Sequence, residues 1–202
     1  MIVSIYSRKG GQGKTPISFS LMKEDPKAFY ISNDYDGCLV YLDKLKDKSK
    51  YISNKNQIKE LDNNKNIIYD AGAYVSDLTY EMLKKSDLII VPTILEEIPV
   101  VSAHRLLAEI KKDKKIKAKI VLVVTRHESP KNMEDYKVLL ENMFKNLADE
   151  IVYLRKTKFF EKIITDNISF DEYIENNPRY RNSGFFEDWK EFKEIYNKYT
   201  QI

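Results

Sequence analysis

Ile2–Val3–Ser4–Ile5–Tyr6 runs directly into Ser7–Arg8–Lys9–Gly10–Gly11–Gln12–Gly13–Lys14–Thr15, and this stretch decides how the chain is read. The apolar, β-branched run predicts a strand, and the glycines after it predict a tight turn into a helix. Gly10, Gly11 and Gly13 remove side chains where backbone N–H groups would close around phosphate oxygens. Lys14 is placed to reach β- and γ-phosphates, and the Thr15 hydroxyl to ligate Mg²⁺. The helix N-terminus adds its positive dipole end to the same point. The stretch therefore predicts a nucleoside-triphosphate site. Arg8 departs from the usual pattern, which has a glycine at that position; what precedes the glycines here is a second lysine, Lys9.

Working outward, short apolar runs alternate with amphipathic segments. Ile2–Tyr6, Ala28–Ser32, Asn66–Tyr69, Leu88–Val91, Ile120–Val124 and Ile151–Leu154 read as strands, while Pro99–Lys111 and Asn132–Leu147 have helical spacing. Ile/Val-rich strands joined by helical crossovers predict a mainly parallel sheet covered on both faces. Right-handed crossovers then bring the loops after the strands to one edge, where ligands bind. The fold class is α/β, with residues 1–202 as a single P-loop domain. Asp43–Lys65 is charged and weakly periodic and reads as a surface excursion.

The strand Asn66–Ile67–Ile68–Tyr69 ends in Asp70, followed by Ala71–Gly72. A carboxylate at that place in P-loop proteins holds Mg²⁺, usually through water; the alternative is an aspartate capping the next helix. Phe29–Tyr30–Ile31–Ser32–Asn33–Asp34–Tyr35–Asp36 is a second strand ending in carboxylates. A carboxylate near a γ-phosphate can orient water for in-line attack, and an Asx-rich turn is the competing reading.

These residues carry a resemblance to the ParA/MinD family of ATPases. Lys9 with the glycines, Lys14 and Thr15 resembles that family's deviant P-loop, in which the extra lysine reaches the nucleotide of a partner subunit. Asp70 resembles its Walker B aspartate, and Asp87–Leu88–Ile89–Ile90–Val91–Pro92–Thr93 is similar to a further strand motif. Alignment on the strand puts Asp34 on the aspartate that positions water, with Asp36 as the alternative two residues on. The resemblance implies ATP and Mg²⁺ as cofactors. It gives Lys9, Lys14 and Asp34 catalytic roles, and makes Lys9 through Pro16, with Thr125 and Arg126, the nucleotide contacts. Thr15 and Asp70 become the metal residues. Pro16 departs from the family, where a Ser/Thr commonly follows the threonine; it removes a hydroxyl and an N–H donor, though proline is tolerated in a first helical turn. The helix after it is expected to end early, at Lys23–Glu24–Asp25–Pro26.

The chain's compact size resembles the small plasmid-partition ParA proteins, which implies an ATP-dependent homodimer, non-specific DNA binding and a centromere-binding ParB-like adaptor. Thirty-four basic against 31 acidic residues leave a net charge of +3, so any DNA surface must be local. Two basic runs qualify: Lys111 to Lys119, and Arg155, Lys156 and Lys158 beside Phe159–Phe160. The second is the preferred contact, since phosphate neutralisation needs charge and no base readout. Cys38 is the only cysteine, which excludes a disulfide framework within the chain. No apolar run approaches the roughly 20 residues of a membrane span, and no signal peptide is apparent. A cytoplasmic, nucleoid-associated protein is expected.

The tail Phe185–Tyr199 has aromatic residues at helical spacing and mixed charge opposite, which predicts a helix docked on the sheet, not a membrane-binding one. Three rival functions share many of these residues: a P-loop protein-tyrosine kinase, a nucleotide-binding regulator with little hydrolysis, and a conjugation accessory ATPase.

Overall fold

The computed structural model describes residues 1–25, 27–61, 65–128 and 133–200. Pro26 and Asn132, which bound two of the expected helices, lie outside the described residues. The strands are β1 (Ile2–Ile5), β2 (Ala28–Ser32), β3 (Ser49–Tyr51), β4 (Asn66–Asp70), β5 (Leu88–Ile94), β6 (Lys119–His127) and β7 (Glu150–Arg155). The helices are α1 (Lys14–Glu24), α2 (Tyr35–Leu45), α3 (Asp77–Lys85), α4 (Glu97–Lys112), α5 (Met133–Phe144), α6 (Phe159–Asp166), α7 (Phe170–Asn176) and α8 (Gly184–Thr200).

The strands form one sheet in the order β3-β2-β4-β1-β5-β6-β7, and every pairing is parallel. Side-chain alternation sorts the core into two layers. Val3, Ile5, Ile68, Leu88, Ile90, Val121 and Val123 face α1, α6, α7 and α8. Ile67, Tyr69, Ile89, Val91, Ile120, Leu122 and Val124 face α3, α4 and α5. Both faces of the sheet are therefore dry, as expected for parallel strands with crossover helices.

The chain leaves β1 to build β2 on one side of the sheet, and later leaves β4 to build β5 on the other. β1 thus sits at the switch in strand order, where the loops diverge and open a crevice. The phosphate turn follows β1 directly.

Two elements differ most from their sequence reading. β3 lies inside the expected surface excursion; at three half-buried residues on the sheet edge it is too short and too polar to show a period. β6 extends from Lys119 to His127, longer than its apolar run, because pairing with β5 and β7 carries the extended backbone through polar Thr125 and His127. The tail helix α8 is docked. Phe185, Phe186, Trp189, Phe192 and Tyr196 are buried and join Phe159, Phe160, Phe170 and Tyr173 in an aromatic cluster. Asp188 on α8 reinforces the docking by bonding the end of β7. Among the described residues no helix is long and apolar enough to cross a membrane.

Candidate functional site

Glycine is needed at two points of the turn. Gly11 (φ 73°) and Gly13 (φ 93°) occupy the left-handed region, which is strained for residues with a Cβ. Gly13 also caps α1 without a side-chain bond, and the first turn of α1 holds no acidic residue. The leading N–H groups of that helix are thus left for an external acceptor. Pro16 falls in this first turn, where its missing N–H breaks no intrahelical bond. Asp25 ends the helix at the expected place, its extended backbone returning an N–H to the Leu21 carbonyl.

Gln12 fastens the turn to the sheet. Its side chain accepts from Ile94 N at 2.9 Å and donates to the Gly10 carbonyl at 3.2 Å, while its own carbonyl accepts from the Thr125 hydroxyl at 3.0 Å. The Gln12 side chain and carbonyl are thus internal to the fold, leaving its backbone N–H for a ligand. Arg8, the departure from the usual glycine, pairs through both guanidinium nitrogens with Glu109 on α4, one bond being 2.8 Å.

Lys14 is 9% exposed, and its Nζ rests on the Lys9 carbonyl at 3.2 Å. Burial lowers its pKa, opposed by the nearby Asp70 and Asp34 carboxylates. No carboxylate among the described residues comes within ion-pair distance of it. A desolvated ammonium without an ion pair, beside uncapped helix N–H groups, is an anion site. Lys9, on the same turn, is exposed to solvent.

Asp70 is buried at the end of β4, opposite Ser32 in the sheet register. The capping alternative does not apply, since Ser76 caps α3. Tyr30 donates its hydroxyl to Asp70 Oδ2 at 2.7 Å, and Oδ1, also buried, has no hydrogen-bond partner. Burial pushes the carboxyl up to about 6, against the pull of the Tyr30 and Thr15 hydroxyls, the Lys14 charge and Ser18. An orphaned carboxylate oxygen near a threonine hydroxyl at a helix N-terminus fits a divalent cation held through water. Thr15 and Asp70 are the residues that could hold Mg²⁺.

Asp34 caps α2, accepting from Gly37 N at 3.1 Å, so the turn reading is part of its role. Its charge is nonetheless among those acting on Lys14, whereas that of Asp36 is not. Sequence reasoning missed the residue between Ser32 and Asp34. Asn33 is 2% exposed and accepts from Gly72 N at 2.7 Å; it donates to Thr79 at 3.2 Å, and its carbonyl accepts from the Tyr74 hydroxyl. It ties the loop carrying Asp34 to the loop after Asp70. Its only signal in the sequence was a polar residue where an apolar strand ends.

Thr125 bonds the turn and the Thr93 carbonyl, and Arg126 has φ 58° and is exposed. Both line a cleft of about 220 Å³ with Gly13, Pro16, Tyr41 and Phe160, next to the turn. It is large enough for a nucleotide base.

The second basic run does not form one free surface. Arg155 grips Asp188 on α8 with Nε and Nη2, each at 2.9 Å, and its backbone N–H bonds the same carboxylate. Within the chain the guanidinium anchors α8 to β7, and a phosphate would compete with Asp188 for it. Phe159 and Phe160, expected beside a DNA contact, pack into the aromatic cluster. Lys156 pairs with exposed Glu128 at 2.5 Å, and Lys158 is exposed at the start of α6. In the first run, Lys111 and Lys119 pair with Asp149, at the edge of the sheet opposite the phosphate turn. Among the described residues no cluster of His, Cys, Asp and Glu could hold a metal by itself.

Comparison with known proteins gives a consistent result at the level of fold. No family profile matches the chain, and no curated protein sequence matches it. Solved structures do. McdA from Cyanothece, as an ATP complex, superposes with a TM-score of 0.71 at 15% identity, over 100% of this chain and 96% of that one. A Borrelia burgdorferi B31 protein named for plasmid partition, bound to AMPPNP, gives 0.67 at 17% identity over 98% of both chains. The septum site-determining protein MinD of Pyrococcus horikoshii OT3, with Mg-ADP, gives 0.61 at 15% identity over 93% of both. The chain has the fold of the ParA/MinD ATPases, and its structural neighbours are members of that family.

Proposed function

We propose that this chain is a dimerising ATPase that binds Mg²⁺–ATP and positions DNA cargo. The observation that carries the reading is the convergence, at the switch point of a ParA/MinD-type sheet, of uncapped helix N–H groups, buried Lys14, and Asp70 with its orphaned oxygen. Neighbours solved with ATP, AMPPNP and Mg-ADP support the choice of ligand.

In this reading the backbone of Gly10 to Thr15 holds the phosphates and Lys14 balances the charge on the β/γ pair. Thr15 and Asp70 would hold Mg²⁺, which would supply neutralisation of phosphate charge. Asp34, held by Asn33 and by the first turn of α2, orients the attacking water. The base enters the cleft beside Pro16, Thr125 and Arg126. Lys9 crosses to the phosphates of a second subunit, offsetting the repulsion between two facing nucleotides. Non-specific DNA contact falls to Lys158 and to Lys156, whose exposed ion pair is weak enough to exchange for a phosphate. A ParB-like adaptor stimulates hydrolysis, and the protein works at the nucleoid in the cytoplasm.

Lys9→Ala tests the reading. The variant should keep the ATP affinity of the single subunit but lose Mg²⁺–ATP-dependent dimerisation by light scattering, and with it hydrolysis. A variant that dimerises and hydrolyses like the parent would leave a P-loop protein without the paired-lysine mechanism. One observation favours the regulator with little hydrolysis: Pro16 subtracts a hydroxyl and an N–H from the phosphate site. Tight ATP binding with no turnover, with or without DNA, would select it.

A further inference from the structure

Asp70 is an expensive residue to hold where it is. Its carboxylate is buried, and one oxygen has no partner. A carboxylate so placed would rotate to share its few donors unless something fixed it, and that element lies on the neighbouring strand. Tyr30 is fully buried in the middle of β2. In the parallel register Tyr30 sits opposite Ile68 and Ser32 opposite Asp70, so Tyr30 and Asp70 share the sheet face that packs α1. The phenol spans the diagonal and donates to Oδ2 at 2.7 Å, while the Ser32 hydroxyl donates to the Asp70 backbone carbonyl at 2.9 Å. A phenylalanine would fill the same space without the bond. The rest of β2 on this face is apolar or small, so the hydroxyl is the single chemical feature that distinguishes Tyr30 from packing.

We propose that Tyr30 is a positioning residue for the metal site: its hydroxyl immobilises Asp70 through Oδ2, so that Oδ1 alone is offered to a Mg²⁺-bound water. The proposal rests on the Mg²⁺–nucleotide reading above. Partners that orient a ligating group from behind typically contribute 10- to 100-fold in metal affinity. With an outer-sphere carboxylate the lower end applies, about 10-fold.

The experiment titrates Mg²⁺ into parent and Tyr30→Phe protein with a fluorescent non-hydrolysable ATP analogue, and repeats the nucleotide titration in EDTA. Tyr30→Phe should move the Mg²⁺ midpoint upward by about 10-fold and leave the metal-free nucleotide affinity unchanged. Tyr69→Phe is the control for loss of a buried hydroxyl: Tyr69 precedes Asp70, faces the other core layer and bonds Thr79 at 3.2 Å. It should leave the midpoint in place. Thermal unfolding of both variants verifies that they fold. An unchanged midpoint in Tyr30→Phe, or an equal shift in Tyr69→Phe, overturns the Tyr30 assignment alone. A parent that binds no nucleotide in a Mg²⁺-dependent way overturns the functional reading and this proposal with it.

Discussion

The ends of β1 and β7 both carry basic residues where a strand gives way to a loop, and in sequence both read as anion-binding. They are built oppositely. Lys14 is buried, bonded only to a backbone carbonyl, and left without an ion pair although two carboxylates lie near enough to act on it. Arg155 is more exposed, at 39%, yet it is closed into a bidentate pair with Asp188, itself 12% exposed. A charge kept for a ligand is desolvated and left without an ion pair, so an incoming anion has no partner to displace. A charge used in architecture is compensated within the chain, and a phosphate would have to displace its partner first.

The comparison breaks most readily at Lys14. Lys14→Ala should weaken ATP binding by about 100-fold, the loss of charge-assisted bonds worth roughly 1.5–3 kcal/mol. Titration with a fluorescent ATP analogue reads it directly, and an unchanged affinity would end the claim that this ammonium is reserved for a ligand.

A second measurement sharpens the contrast through the opposite charge at the same site. The folded pKa of Asp70, about 6, lies above its ordinary 3.8. The folded state therefore favours the protonated acid, and that contribution is fully present below about pH 4 and lost as pH rises through 6. Asp70→Asn keeps an acceptor for Tyr30 and abolishes the charge. Without nucleotide or metal it should be more stable than the parent at pH 8, by about 2–3 kcal/mol. The advantage should shrink through pH 6 and vanish below about pH 4. Chemical denaturation at several pH values measures this; a difference independent of pH would show that Asp70 is not held as an uncompensated acid.

The smallest expected effect is at the closed pair. Asp188→Ala removes three bonds to Arg155 and should destabilise the protein by about 2 kcal/mol, lowering the thermal midpoint by about 4–8 °C. ATP affinity should stay at the parent value. A loss of affinity with no loss of stability would mean that the two basic turns are not separate in function.

What the sequence displays follows from how local each feature is. The phosphate turn is legible because strand, glycines, Lys14 and Thr15 are contiguous, and two of the glycines, Gly11 and Gly13, answer a backbone need. Asp70 is legible because it ends an apolar run. The pairs that complete the site are not. Arg8 meets Glu109 across 101 residues, and Tyr30 meets Asp70 across 40; only the folded sheet brings them together. The Arg155–Asp188 pair is hidden in the same way, since Asp188 lies 33 residues away on a helix that the sequence displays mainly through its apolar stripe. β3 was hidden for another reason: three residues at an edge are too few for a period to appear.

The bed under α1 has a consequence for how the protein is made. Ile17, Phe19, Leu21 and Met22 pack in one layer with Phe170, Phe185, Trp189 and Phe192, and Glu24 bonds both Phe170 N and Lys193. The helix that begins at Lys14 leaves the ribosome well before its support, since 146 residues separate Glu24 from Phe170. At roughly 5–20 residues per second, the nascent phosphate turn waits on the order of ten seconds or more for the surface that steadies it. During that interval the apolar face of α1 is open to chaperones, and nucleotide capture waits until the layer from Phe170 to Phe192 has emerged.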